Sequence, residues 1–250
     1  MTTSVPALQV TGLSKAFGGL RVFDNLTFDL NPGEILGVIG PNGAGKTTLV
    51  NVLSKQIPAT SGEIQLYGGS LNGKSFTECV RAGLARSFQQ TNVFSDATVE
   101  HNLKRALRFA GKPASLPASA IKLIDHCGLQ RALQRRAVDL PYGLQKMLGL
   151  LMTYLTAPKV MLLDEPAAGL ERRERSLIDT FVETARTELN CSVVIVEHDM
   201  DMIRRICPRS IVLEAGRILA IGPTKEVLAN PEVIKAYLGE VAEDTDAVDR

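Results

Sequence analysis

The chain has 250 residues, and its 28 Lys and Arg against 27 Asp and Glu leave a formal net charge of +1. Hydrophobic residues make up 45% and charged residues 22%, which excludes global disorder and supplies a sizeable core for one large or two small domains. The near-neutral balance argues against a dedicated nucleic-acid binder, and no apolar run reaches the roughly 18 residues a membrane span needs. The opening Met1–Pro6 has neither the basic start nor the apolar core of a signal peptide, so a soluble, cytoplasmic protein is expected. Cys79, Cys127, Cys191 and Cys207 are scattered without a C-x-x-C pair and are expected to be ordinary reduced thiols, several of them buried. His101, His126 and His198 have no metal-ligand spacing.

Strand and helix signals alternate along the chain. Residues 7–10 and 21–30 read as strands, with turns at Gly18-Gly19 and Asn31-Pro32-Gly33. Ile35–Ile39 is a compact apolar strand, followed by a glycine-rich turn and a helix from Lys46 to Ser54. Gly62–Tyr67 returns as a strand. Residues 98–156 are mostly helical, interrupted at Lys112–Pro117. Val160–Leu163 and Ser192–Val196 are short all-apolar runs of the kind covered on both faces of a parallel sheet, each followed by a helix, at Arg172–Leu189 and Asp199–Ile206. Ile211–Leu213 and Ile218–Ile221 suggest a hairpin, and one amphipathic helix is expected over Thr224–Leu238. The last eleven residues carry five acids against one base and read as a frayed tail. The class is α/β with a helical insertion.

Gly40-Pro41-Asn42-Gly43-Ala44-Gly45-Lys46-Thr47 satisfies G-x-x-x-x-G-K-[ST] between a predicted strand and a predicted helix. Glycines let backbone N–H groups turn inward around a polyphosphate, and the helix start adds roughly half a positive charge. Lys46 can reach the β- and γ-phosphates, and the Thr47 hydroxyl can ligate Mg²⁺; Thr48 completes the expected nucleotide-binding stretch. The apolar strand Val160–Leu163 runs into Asp164 and Glu165, at the strand end where α/β sheets bind ligands. Asp164 is expected to approach Mg²⁺ through water, and Glu165 to face the attacking water.

Four further features keep a fixed order: Phe88-Gln89, then Leu140-Pro141-Tyr142-Gly143-Leu144-Gln145, then Ala168-Gly169-Leu170-Glu171, then Glu197-His198-Asp199. Over Leu8 to Leu238 this order resembles the ATP-binding subunits of ABC transporters. Asp164–Leu170, Glu197–Met200 and Pro231–Gly239 resemble the branched-chain amino-acid importer group within them. The resemblance implies a P-loop NTPase ABC ATPase fold, with a RecA-like core, an N-terminal antiparallel β subdomain and a helical insertion. Residues 5–240 would form one ATP-binding domain: core and β subdomain at about 5–90 and 158–222, insertion at about 91–157, C-terminal helix at about 224–238, and an acidic tail at 241–250. It also implies that Phe17 stacks on adenine, the alternative being a buried core Phe. Gln89 would sense Mg²⁺ and the attacking water, and His198 would contact the γ-phosphate and hold the catalytic geometry.

The departures from the family pattern lie in its signature, usually L-S-G-G-Q. Here Leu140, Pro141, Tyr142, Gly143 and Leu144 occupy it, so the serine contact is lost and Gly143 is left as a backbone donor; Glu171 stands where Asp or Asn is usual. The family pairs two ATPase chains head to tail, each signature facing the partner's ATP. The resemblance therefore implies ATP and Mg²⁺ as cofactors, hydrolysis coupled to import, and a second ATPase subunit, a paralogue being favoured over self. It further implies two transmembrane permease subunits contacted around residues 89–98, a soluble substrate-binding protein acting through them, and a place on the cytoplasmic face of the inner membrane. A nucleotide-binding regulatory subunit with weak hydrolysis and a non-transport ABC ATPase are the alternatives; no nucleic-acid partner is expected.

Overall fold

The computed structural model describes residues 5–87 and 93–237. Their strands form two sheets. β1 (Leu8–Phe17), β2 (Leu20–Leu30), β4 (Ser61–Leu66) and β5 (Gly69–Ser70) make an antiparallel sheet in the order β2-β1-β4-β5. The second sheet takes β3 (Ile35–Ile39), β6 (Leu84–Arg86), β7 (Val160–Asp164), β8 (Ser192–Val196), β9 (Arg209–Glu214) and β10 (Arg217–Pro223), in the order β10-β9-β3-β8-β7-β6. Its strands are parallel except β10, which folds back on β9 as the expected hairpin.

Every residue of β3, β7 and β8 is buried, because each strand feeds two cores in alternation. Ile35, Ile39, Met161, Leu163, Val193 and Ile195 join the helical core, whereas Leu36, Val38, Val160, Leu162, Val194 and Val196 face the antiparallel sheet and α1 (Lys46–Leu53). Between β6 and β7 lie α3 (Val99–Phe109), α4 (Ala118–His126) and α5 (Tyr142–Leu155). Tyr154 of α5 ties them to the core: its hydroxyl lies 2.6 Å from Ser119 Oγ, and its ring meets Phe181 edge-on at 6.2 Å. Phe181 belongs to α6 (Arg172–Leu189), and α7 (Met200–Ile206) follows β8. Thr98 caps α3 by accepting from the His101 N–H.

Three features differ from the sequence reading. β1 extends to Phe17 because Lys15 is buried, its ammonium donating to Pro58 O, so a charged residue stands at an inward position. The short α2 (Phe76–Ala82) and β6 were not anticipated, although Ser75 and Glu78 form a capping box at the start of α2. The expected C-terminal helix is broken: α8 (Thr224–Ala229) stops at the extended Asn230, and residues 231–237 form a second helical segment. Pro231 causes the break, since its ring disfavours helical backbone in the residue before it. Asn230 Oδ1 then accepts from the Glu232 N–H, starting the new turn. The acidic tail at 241–250 lies outside the described residues.

All four cysteines are buried and free. Burial pushes the Cys127, Cys191 and Cys207 thiols up to about 12 and raises that of Cys79. Native protein at pH 8 is therefore expected to resist a thiolate-directed alkylating agent, and all four thiols to react once the chain is unfolded in guanidinium. Rapid labelling of any of them in the native state, followed by mass spectrometry, would contradict this burial.

Candidate functional site

One row of the parallel sheet assembles the site. Val38 of β3 is in register with Val196 of β8, and Val196 with Asp164 of β7. The Glu165 N–H donates to Val196 O at 2.9 Å and the Glu197 N–H to Val38 O at 3.4 Å. The residues just beyond the row, Gly40, Glu165 and His198, therefore leave the sheet at one carboxyl edge. That is where parallel sheets present ligand sites.

The loop after β3 is shaped by contacts behind it. A Cβ on Gly40 would lie 2.0 Å from Leu213 O, so only glycine fits against β9 there. Gly45, in the left-handed region, is the N-cap of α1, and the Leu49 N–H donates to its carbonyl at 2.8 Å. The Lys46 ammonium folds along the loop and donates to Gly40 O at 2.6 Å and Pro41 O at 2.8 Å. Thr47 is exposed in the first turn of the helix, with Thr48 half-buried beside it.

Asp164 is 1% exposed, and its Oδ2 accepts from Arg86 Nη2 at 3.0 Å. Arg86 in turn donates to Asn51 Oδ1, to Ser54 Oγ at 3.3 Å and to Gln56 Oε1 at 2.9 Å. One guanidinium thus ties the end of β7 to the last turn of α1. Burial pushes the Asp164 carboxyl up, Arg86 opposes it, and the neighbouring Glu165 adds to the rise. Asp164 Oδ1 is buried with no hydrogen-bond partner among the described residues.

Glu165 follows in the left-handed region at φ 48°, a conformation that costs a non-glycine residue roughly 1–2 kcal/mol. Its carboxylate meets His198, with Oε1 3.1 Å from Nε2. The backbone from Glu165 to Ala168 is a turn closed by the Ala168 N–H donating to Glu165 O at 3.1 Å. Two buried side chains grip it. Lys146 of α5 donates to Glu165 O at 2.9 Å and Ala168 O at 2.7 Å, and Glu197 Oε1 accepts from the Ala167 N–H at 2.7 Å. Glu197 Oε2 also accepts from the His198 N–H at 3.1 Å. Burial raises the Glu197 carboxyl against these backbone donors, and it depresses Lys146 against the pull of Glu197 and Glu165.

The remaining expected residues divide. Phe17 is 49% exposed at the tip of the β1–β2 hairpin, so it is not a core residue, and the Lys15 ammonium lies 4.4 Å from its ring centroid. Val22, just past the residue paired with Phe17, lies where a Cβ on Gly45 would touch it at 3.2 Å, which brings this hairpin to the phosphate loop. Leu140 is buried, Pro141 is the N-cap of α5, and Tyr142, Gly143 and Leu144 form its first turn. That turn docks on the segment after Glu165. A Cβ on Gly169 would lie 2.7 Å from Tyr142 Cε1, and one on Gly143 would lie 2.2 Å from Glu174 Oε1. Gln89 lies outside the described residues. His101 and His126 are exposed.

Sequence reasoning assigned no role to Arg86, Lys146 or Glu197. Each had a signal: a charge within or closing an otherwise apolar strand, or on the buried stripe of a helix. Replacing Arg86 with Met strands the buried Asp164 carboxylate, and Arg86→Met is expected to cost about 3–5 kcal/mol of stability in urea unfolding. A loss under about 1 kcal/mol would show that Asp164 does not depend on this partner.

The ABC transporter family matches residues 23–168, and the branched-chain amino acid ATP-binding cassette transporter family matches residues 217–243. The high-affinity branched-chain amino acid transport ATP-binding protein LivG of Escherichia coli K12 is 36% identical, with 95% of this chain and 99% of LivG aligned. BraF of Pseudomonas aeruginosa, of the same description, is 34% identical over the same shares. The ADP conformation of an ATP-binding cassette from an ABC transporter superposes with a TM-score of 0.81 at 26% identity, covering 94% of this chain and 99% of that one. Among the described residues no helix is long and apolar enough to cross a membrane. The chain belongs to the ABC transporter family, as one of its ATP-binding proteins.

Proposed function

We propose that this chain is the ATP-hydrolysing subunit of an importer for branched-chain amino acids or related small solutes. The contact between Glu165 and His198, at the sheet edge that also presents the phosphate loop, is the observation that carries hydrolysis rather than binding alone. The importer assignment rests on similarity to LivG and BraF. In this reading Phe17 stacks on adenine, Gly40–Thr48 cradle the phosphates, and Lys46 turns from its loop carbonyls to the terminal phosphate. Glu165 takes a proton from the attacking water, and His198 holds that carboxylate and the γ-phosphate; Gln89 reaches the same water.

Mg²⁺ is the proposed cation, held by Thr47 and Gln89 and, through water, by Asp164. The support is chemical: Asp164 offers a buried oxygen without a hydrogen-bond partner among the described residues, and the donors are oxygens. No group of three or more His, Cys, Asp or Glu suited to a metal occurs among the described residues. Mg²⁺ commonly binds one or two protein oxygens and otherwise phosphates and water. Bound there, it would neutralise phosphate charge. The proposed partners are a second ATPase subunit, a paralogue being favoured over a copy, and two transmembrane permease subunits that hold this chain on the cytoplasmic face of the inner membrane, with a soluble receptor acting through them. Residues 91–157 would be the insertion that moves against the core.

Glu165→Gln is expected to bind MgATP within about threefold of the parent while losing at least a hundredfold in turnover. Retained turnover would remove Glu165 from the chemistry. Uptake of labelled leucine in cells lacking the chain should fall and return on complementation; unchanged uptake would overturn the substrate assignment. Pro141 supplies neither hydroxyl nor N–H, so the composite site facing this chain's signature is expected to be the weaker one. Removing the catalytic Glu here should then cost more turnover than the same change in the partner, and equal losses would refute the asymmetry.

A further inference from the structure

The turn that carries Glu165 is held from a helix distant in sequence, and the holding group is a buried charge. Lys146 is 5% exposed. It sits on α5 beside Met147 and Leu150, among residues that otherwise pack the apolar core. A lysine there is costly to bury unless its ammonium has fixed acceptors. Its ammonium donates to two main-chain carbonyls of one turn, Glu165 O at 2.9 Å and Ala168 O at 2.7 Å.

These two carbonyls are the ends of the turn that sets the Glu165 backbone. A non-glycine residue at φ 48° keeps that conformation only where its surroundings over-determine it. The Glu165 N–H is fixed to Val196 O by the sheet, and its side chain meets His198. Its carbonyl accepts from the turn's own Ala168 N–H, at 3.1 Å, and from the Lys146 ammonium, at 2.9 Å. On the other flank Glu197 grips the Ala167 N–H. Lys146 thus supplies the carbonyl-side half of a clamp whose amide-side half is Glu197.

We propose that Lys146 is a positioning residue for Glu165: its ammonium bridges the Glu165 and Ala168 carbonyls and thereby aims the Glu165 carboxylate at the attacking water beside His198. The role rests on the reading of Glu165 as the proton acceptor. In this role Lys146 acts through the two backbone carbonyls it bridges. Removing its donors takes the Lys146 hydrogen bond from the Glu165 carbonyl, loosens the turn that holds φ in the left-handed region, and lets the carboxylate swing away from His198. The phosphate loop is untouched, so nucleotide affinity does not depend on it.

The test uses the full chain with Lys146→Met, which keeps length and apolar volume but has no donor, and Lys146→Arg, which restores several donors. Lys146→Met is expected to lower kcat for MgATP at least tenfold with KM within twofold. Amide exchange should accelerate in the peptide spanning 163–170 and stay unchanged in β3 and α1. Lys146→Arg is expected to return kcat to within about threefold of the parent. A kcat within twofold of the parent in Lys146→Met, a matched rise in KM, or an Arg variant as impaired as the Met variant would each overturn the role. If Lys146→Met does not fold, Lys146→Leu, which also has no donor, takes its place under the same criteria. Glu165→Gln is run alongside. An inactive Glu165→Gln with a fully active Lys146→Met defeats this proposal alone, whereas an active Glu165→Gln defeats the reading of Glu165 on which it stands.

Discussion

The parallel register of three strands is the constraint on which the rest of this structure depends. Because Val38, Val196 and Asp164 share one row, the chain's three chemistry-bearing segments leave the sheet at one level and on one edge. That register is strongly specified: β3, β7 and β8 are buried on both faces, and a slip of one residue would exchange the side chains of the two cores. The glycine at 40 is part of the same constraint. The loop can turn out of β3 only by passing against the carbonyl of Leu213, where no Cβ fits.

Close behind that edge the molecule holds four charged groups out of water: Arg86, Asp164, Lys146 and Glu197. Buried ions are poor sources of net stability, because desolvation offsets most of their attraction. Their placement here follows geometry instead. Arg86 joins the end of β7 to α1, so Asp164 and the phosphate-loop helix are oriented together. Glu197 joins the turn after β7 to the residue after β8, so the backbones of Glu165 and His198 are fixed relative to each other. Apolar residues of similar size would fill the same space but could not direct a backbone turn.

The core of this fold was legible in the sequence because its signals were local. Ile35–Ile39, Ser192–Val196 and Arg172–Leu189 coincide with β3, β8 and α6 to the residue, since an apolar run or a long amphipathic period needs no tertiary information. The phosphate loop and the Asp164-Glu165 strand end were equally plain. Other parts were illegible where a long-range partner decides the outcome. The outer half of β1 depends on Lys15 finding Pro58 O, and the three-residue β6 exists by pairing with β7. The Asn230-Pro231 break is legible in the sequence even though the apolar pattern runs through it, because backbone sterics end the helix there. Lys146 could be seen as a charge on a buried stripe. That its two acceptors would be the carbonyls of Glu165 and Ala168, nineteen and twenty-two positions away, belongs to the packing of α5 on the turn.

That packing also bears on the altered signature. Tyr142 lies against Gly169, the Glu174 carboxylate lies over Gly143, and Leu144 packs on the apolar core. The residues in the first turn of α5 therefore have partners within their own chain, in the segment that continues from Glu165 into α6. One turn further along, Lys146 holds Glu165 itself. A displacement of the α5 N-terminus would bear on the Tyr142–Gly169 contact and on the Lys146 bridges, and through those bridges on the Glu165 backbone. The departures from the usual signature spelling thus remove a hydroxyl that could face outward, while the inward contacts of the same turn keep this helix tied to the carboxylate of its own chain.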